Sequence, residues 1–290
     1  MPIAASAVED RVREHVRVLA SEIGERNLDH PGALAAARDY LARELEGMGH
    51  AVSPQRYAVG GAPCENLEVL LPGADEGRET LVVGAHYDSA RGTPGADDNA
   101  SAVAALLEIA GALRSVEPRC PVPLVAYVNE EPPYSFSPDM GSRVHAAACH
   151  ARGERVRMVA LEMLGYYRDA PRTQKYPPLF RHYHPDRGNF IGFVSNRRSR
   201  GWLDEAFRAF RASSDFPCES SATFGWLPGI GWSDHSSYWH FGYPALMVTD
   251  TAFFRNPHYH SARDRYETLD YPRLARVTEG LAGAVARLVA

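Results

Sequence analysis

The chain has 290 residues, a formal charge of −5 from 31 Lys and Arg against 36 Asp and Glu, and 45 % hydrophobic residues. An apolar fraction of that size over that length can bury a core without staples, which excludes intrinsic disorder and a stapled mini-domain. With no block of like charge, nucleic acid and anionic membrane find no electrostatic footprint. The four cysteines, Cys64, Cys120, Cys149 and Cys218, never come closer in sequence than 29 residues, so no thiolate pair forms a zinc knuckle or redox motif. A transition metal would have to be held by His and carboxylates. Residues 1–7 lack a basic stretch followed by an apolar one, and no run approaches the roughly 18 apolar residues of a membrane span. A cytoplasmic protein is the expectation.

Along the chain, Val12, Val16, Leu19 and Ile23 repeat at helical spacing, and Ser6 with Glu9 forms a capping-box pattern, which predicts a helix over 6–23. A second helix carries Pro31 near its first turn, Leu34, Leu41, Leu45 and Met48 on one face, and Gly49 as its stop. The period then shortens. Residues 67–71 and 81–85 are Val- and Leu-rich runs of the kind found in strands covered on both sides. Beyond them the pattern alternates: helix 100–113, strand 124–129, helix 139–151, strand 159–163, strand 190–194, helix 200–211, strand 245–249 and helix 272–288. Such alternation predicts an α/β fold with a mixed, mainly parallel sheet and helices on both faces. Neither a low-complexity linker nor an internal repeat interrupts it, so one domain over 1–290 is expected. The irregular stretch 165–188 is rich in Tyr, Pro, Arg and His and reads as a lid or pocket wall.

Open α/β sheets bind ligands just past the carboxyl ends of their strands. Polar residues gather at those positions here: His86-Tyr87-Asp88-Ser89, Gly95-Ala96-Asp97-Asp98-Asn99-Ala100-Ser101, Asn129-Glu130-Glu131, Glu162, and Asn256-Pro257-His258-Tyr259-His260-Ser261. Singly, each has a plainer reading. His86 can be a buried core histidine, Asp97, Asp98 and Ser101 can cap a helix, Glu130-Glu131 can be a solvated loop, and His258 and His260 can lie at the surface. Jointly they supply His and carboxylate ligands suited to zinc, cobalt or manganese. Two such metals about 4 Å apart can share one hydroxide, with a free carboxylate taking the proton from its parent water.

These segments, in this order, resemble the M28 family of zinc-dependent aminopeptidases and carboxypeptidases. Leu19-Ala20-Ser21-Glu22-Ile23-Gly24, Glu162-Met163-Leu164-Gly165 and Ser233-Asp234-His235 extend the resemblance over most of the chain. It implies a zinc-exopeptidase fold with two Zn2+ ions bridged by Asp98 rather than Asp97. One ion would also take His86 and Glu162, and the other Glu131 and His260. By the same resemblance Glu130 is the general base, Asp88 orients His86, Tyr259 helps stabilise the developing oxyanion, and the Asp98-Asn99 peptide bond is cis. The sequence departs from the family in having Glu162 where many members have Asp. It also has a longer connection from Pro132 to Asp139, so substrate preference is not inherited.

The leading expectation is an exopeptidase that removes N-terminal residues from peptides, with Tyr134, Phe136, Tyr166 and Tyr167 as candidates for its side-chain pocket. A glutaminyl-cyclase-like acyltransferase working with a single zinc is the alternative, as is an amidase acting on a non-peptide substrate.

Overall fold

The computed structural model describes residues 7–75, 77–177 and 180–290. Eight strands form one sheet: β1 (Val52–Val59), β2 (Ala62–Leu71), β3 (Thr80–His86), β4 (Val122–Tyr127), β5 (Val156–Glu162), β6 (Ile191–Asn196), β7 (Cys218–Thr223) and β8 (Ala245–Thr249). Their order is β1-β2-β4-β3-β5-β8-β6-β7. The central strands β4, β3, β5 and β8 run parallel. Antiparallel pairings attach β1 and β2 on one side and β6 on the other.

Period-two alternation sends neighbouring side chains of the central strands to opposite faces. Leu81, Val83, Leu124, Ala126, Val159 and Leu161 join one core, with α1 (Ala7–Arg17), α2 (Pro31–Gly47), α3 (Ala102–Leu113), α5 (Arg200–Ser213) and α7 (Tyr271–Val289). Val82, Val125, Tyr127, Met158 and Ala160 face the other way, toward α4 (Gly141–Ala151) and α6 (His235–His240). Because α3 leads from β3 out to β4 and α4 leads back past β3 to β5, the chain reverses its direction across the sheet at β3. That leaves a crevice at the carboxyl end of β3, where His86 stands.

The structure departs from the sequence reading at one predicted helix and at three elements it did not include. The helix predicted over 6–23 is α-helical only to Arg17 and continues as a wider π-type turn, Val18–Ile23, that ends at Gly24 with φ 80°; the Ser6 half of its capping box lies outside the described residues. Strands β1 and β7 and the six-residue α6 were not anticipated. Both strands lie at the sheet edges and read as Val-Ser-Pro-Gln-Arg-Tyr-Ala-Val and Cys-Glu-Ser-Ser-Ala-Thr. An edge strand buries little and tolerates proline, so neither carries an apolar run. Among the described residues no helix is long and apolar enough to cross a membrane.

Candidate active site

His86 is the last residue of β3 and Glu162 the last of β5, while Asn129, Glu130 and Glu131 turn out of β4. Asp98 lies in the turn ahead of α3, and His260 in the loop after β8. The fold brings these together. His86 Nε2 lies 3.4 Å from Asp98 Oδ1, 3.4 Å from Glu162 Oε2 and 3.9 Å from Glu130 Oε2. His260 Nε2 lies 3.1 Å from both Asp98 Oδ2 and Glu131 Oε2. Three donor sets result, His86–Asp98–Glu162, His86–Glu130–Glu131 and Asp98–Glu131–His260, and Asp98 is shared by the first and the last. All are buried except Glu130, which is partly so, and His260, whose side chain is 31 % exposed.

Asp97 points elsewhere. Its carboxylate accepts the N–H of Gly165 (2.9 Å) and the side-chain amide of Asn256 (2.7 Å), tying three loops behind the site. The peptide bond Asp98-Asn99 is cis, and Asn99 donates to Leu161 O and accepts from Met163 N–H, so the turn is anchored along β5. Asp88 lies beside His86, its Oδ1 3.5 Å from Nδ1. The same carboxylate accepts the N–H groups of Glu130 and Glu131. Ser233 donates to Glu162 Oε2 at 2.7 Å. The Tyr259 ring stacks on His260 with centroids 3.8 Å apart.

Crowding of buried acids sets the electrostatics. Burial drives Glu130 well above the usual carboxylate range against the pull of His86, and the neighbouring carboxylates Glu131 and Glu162 add to the rise. Burial, reinforced by Asp98, raises Glu131 to about 7. For Asp98 burial is overridden by the nearby imidazoles of His260 and His86, and its pKa falls below the ordinary value. Burial disfavours charge on His260 too, but Asp98 and Glu131 prevail and hold it at about 10. Such a nest of acids around two imidazoles offers the electrostatic setting in which a cation would be favoured.

Two residues that sequence reasoning missed support this arrangement. Asp264 accepts the N–H groups of Asp97 (2.9 Å) and Asp98 (3.1 Å), fixing the main chain that carries the shared carboxylate. Arg26, wholly buried, donates to five main-chain carbonyls, including those of Tyr87 and Gly95. Gly95 has φ 63°, and a Cβ there would lie 2.4 Å from Asp98 O, so only glycine fits beneath the ligand turn.

The sequence profile of peptidase family M28 matches residues 66–285. The chain belongs to peptidase family M28. Its relatives include YfbL, an uncharacterised protein of Escherichia coli strain K12, which is 39 % identical over 284 residues, 95 % of this chain and 87 % of that protein. A zinc aminopeptidase from Bacillus subtilis shares the fold with a TM-score of 0.74 at 14 % identity, over 97 % of this chain and 95 % of its own. A glutaminyl cyclase from Fimbriiglobus ruber does so with a TM-score of 0.72 at 20 % identity, over 98 % and 97 %. At such identities the likeness is one of fold, and a shared fold does not choose between the two chemistries.

Beside the donor sets of this M28 chain opens a cavity bordered by Glu162 and Tyr259. Its aromatic wall differs from the expected one. Tyr166 and Tyr167 are core residues, 4 % and 1 % exposed, and Phe136 projects into solvent, while Tyr134 borders a separate, smaller recess beside Asp88 and Glu131. The rings that line the cavity are Phe190, Trp232, Phe253 and Phe254, with Tyr176 and Phe180 contributed by the 165–188 stretch; Phe193 turns its ring to the other face of the sheet, against Phe207 and Phe210. That stretch therefore does form a pocket wall, through residues other than its first two tyrosines.

Proposed function

We propose that this M28 chain is an aminopeptidase that holds two zinc ions, one between His86, Asp98 and Glu162 and the other between Asp98, Glu131 and His260. The observation that carries the reading is the sharing of Asp98 by two donor sets. Bonds of about 2.1 Å around a tetrahedral zinc place neighbouring ligand atoms about 3.4 Å apart, close to the spacings of 3.1 to 3.4 Å found here. His86 Nε2 and Glu131 Oε1 are buried without a hydrogen-bond partner, as atoms reserved for a cation are. Bound ions of this kind polarise a carbonyl and acidify water.

The residues of the chain divide the remaining work. Glu130 belongs to neither of the two sets that share Asp98; it takes a proton from the attacking water and delivers it to the leaving amine. Asp88, held against both Glu130 and Glu131 main-chain groups, fixes the ring of His86 and the direction in which Glu130 points. Burial, reinforced by Asp98 and Glu131, keeps the Tyr259 phenol protonated, so it can donate a hydrogen bond where negative charge develops on the scissile carbonyl oxygen.

A glutaminyl cyclase would need one ion and would release no amino acid. Zinc-reloaded protein incubated with aminoacyl anilides and with Gln-peptides decides between them: free amino acid with two zinc per chain is expected, and cyclised product with one zinc would replace this reading.

A further inference from the structure

The cavity beside the metal ligands runs along a single row of the sheet. Glu162 pairs with Thr249, Thr249 with Gly192, and Gly192 with Glu219, so four successive strands contribute one residue each, and all four line the cavity. Directly opposed residues project to the same face. Three inter-strand steps of about 4.8 Å carry the row some 14 Å from Glu162 to Glu219, the reach of about four extended residues. Its floor is low in the middle, because Gly192 has no side chain. At the outer end stands a clasp: His184 Nδ1 lies 3.1 Å from Glu219 Oε2, and the imidazole stacks on Tyr176 (5.7 Å) and Phe180 (6.2 Å). The 165–188 stretch is thereby pinned to the edge strand β7 as an end wall. Along the side, the Trp232 and Phe253 rings pack 5.5 Å apart.

A leucine side chain entering at Glu162 would cover the first step of this row and leave the rest unfilled. Aromatic surfaces on several sides favour a flat, polarisable occupant that meets rings at their edges and faces. We propose that this trough, closed by the His184–Glu219 clasp, selects substrates whose N-terminal residue carries a large two-ring aromatic side chain, tryptophan among the protein residues, over leucine or alanine. The inference rests on the aminopeptidase reading above and adds the identity of the residue removed.

The test compares kcat/KM for Trp-, Leu- and Ala-4-nitroanilides on the zinc-loaded protein, and the binding of tryptophanamide against leucinamide to the Glu130→Gln protein by calorimetry. A Trp:Leu ratio of at least ten in both measurements is expected. Glu219→Trp, which plugs the outer end from an edge strand, should bring that ratio to near one, whereas Glu219→Gln, which keeps an acceptor for His184, should preserve it. Because a ratio is read, a general loss of folded protein does not mimic the effect. Selective binding of tryptophanamide without turnover of any anilide would leave the trough standing and remove the proposed aminopeptidase activity. Turnover that favours leucine, equal binding of the two amides, or a ratio unmoved by Glu219→Trp would overturn the trough.

Discussion

The carboxylate of Asp88 accepts the main-chain N–H of Glu130 at 3.2 Å, and its second oxygen takes that of Glu131 at 3.3 Å. One side chain just past the end of β3 thus sets the direction of two neighbouring glutamates, Glu131 toward His260 and Glu130 toward His86. If Glu130 moves the proton, Glu130→Gln should lower kcat by about 10^3-fold, within the range general-base catalysis contributes. Zinc content, read by plasma emission, should stay unchanged, because the amide replaces no atom of the two sets that share Asp98. Retention of more than a tenth of the activity would assign the proton to another group.

Asp98 belongs to both donor sets, so its loss should differ in kind from the loss of a ligand in one set. Asp98→Ala is expected to bind fewer zinc ions than His260→Ala or Glu162→Ala, each of which should retain one tight ion out of two. Chelation should abolish activity in the wild type, and added zinc should restore it. The check is zinc per chain after exhaustive dialysis. Equal stoichiometry in all three variants would argue against a shared carboxylate.

The legible part of the site and the hidden part differ in what their residues bind. His86, Asp98, Glu131, Glu162 and His260 stand where apolar strands give way to polar residues, and an α/β chain seldom places such groups there without a ligand to hold. Asp264 and Arg26 bond to main-chain atoms, Asp264 across 167 residues to Asp97 N–H, and main-chain partners leave no mark on residue type. The pocket misled for a related reason. Tyr166 and Tyr167 follow Glu162 closely in sequence, yet the chain turns inward: the Tyr166 N–H bonds Asp250 Oδ2 at 2.8 Å and the Tyr167 hydroxyl bonds Leu164 O at 2.8 Å. Nearness along the chain was a poor guide where the lining rings are Phe190 just ahead of β6, Trp232, Phe253 and Phe254 in the loops around β8, and Tyr176 and Phe180 farther along the 165–188 stretch. The edge strands β1 and β7 escaped notice because burial, the source of the apolar signal, is weakest there.

Arg26 carries a buried charge whose partners are neutral. Burial lowers its pKa to about 10, with Asp88 and Asp264 acting to raise it, so it remains a cation at neutral pH. Its donors reach the carbonyls of Leu19, Gly24, Tyr87, Pro94 and Gly95, and so join the end of the first helical segment to the loop under Asp98. Arg26→Met would preserve much of the volume and leave those buried acceptors unsatisfied, at a cost of about 3 kcal/mol or more. Urea denaturation should show the midpoint falling with an unchanged slope. A change below about 1 kcal/mol would mean that water replaces the guanidinium.

His235 predicts a loss of stability on acidification. Its ring is fully buried and edge-on to Trp239, with Nε2 2.8 Å from Ile230 O and Nδ1 without a partner. Burial holds its pKa at about 4, against the smaller opposing effect of the Ile230 carbonyl. In the unfolded chain the imidazole binds a proton near pH 6.5, and in the folded chain only near pH 4. Between those values the unfolded state binds more protons, so stability falls as the pH drops through the window and is level on either side of it. From pH 7.5 to 4.5 the contribution is about 2.5 kcal/mol. Buried acids such as Glu131 titrate in the opposite sense, so the informative quantity is the stability difference between wild type and His235→Gln at each pH. That difference should move by about 2.5 kcal/mol in favour of the variant on going to pH 4.5. Parallel stability curves for the two proteins would show that His235 takes up its proton in the folded state as readily as in the unfolded chain.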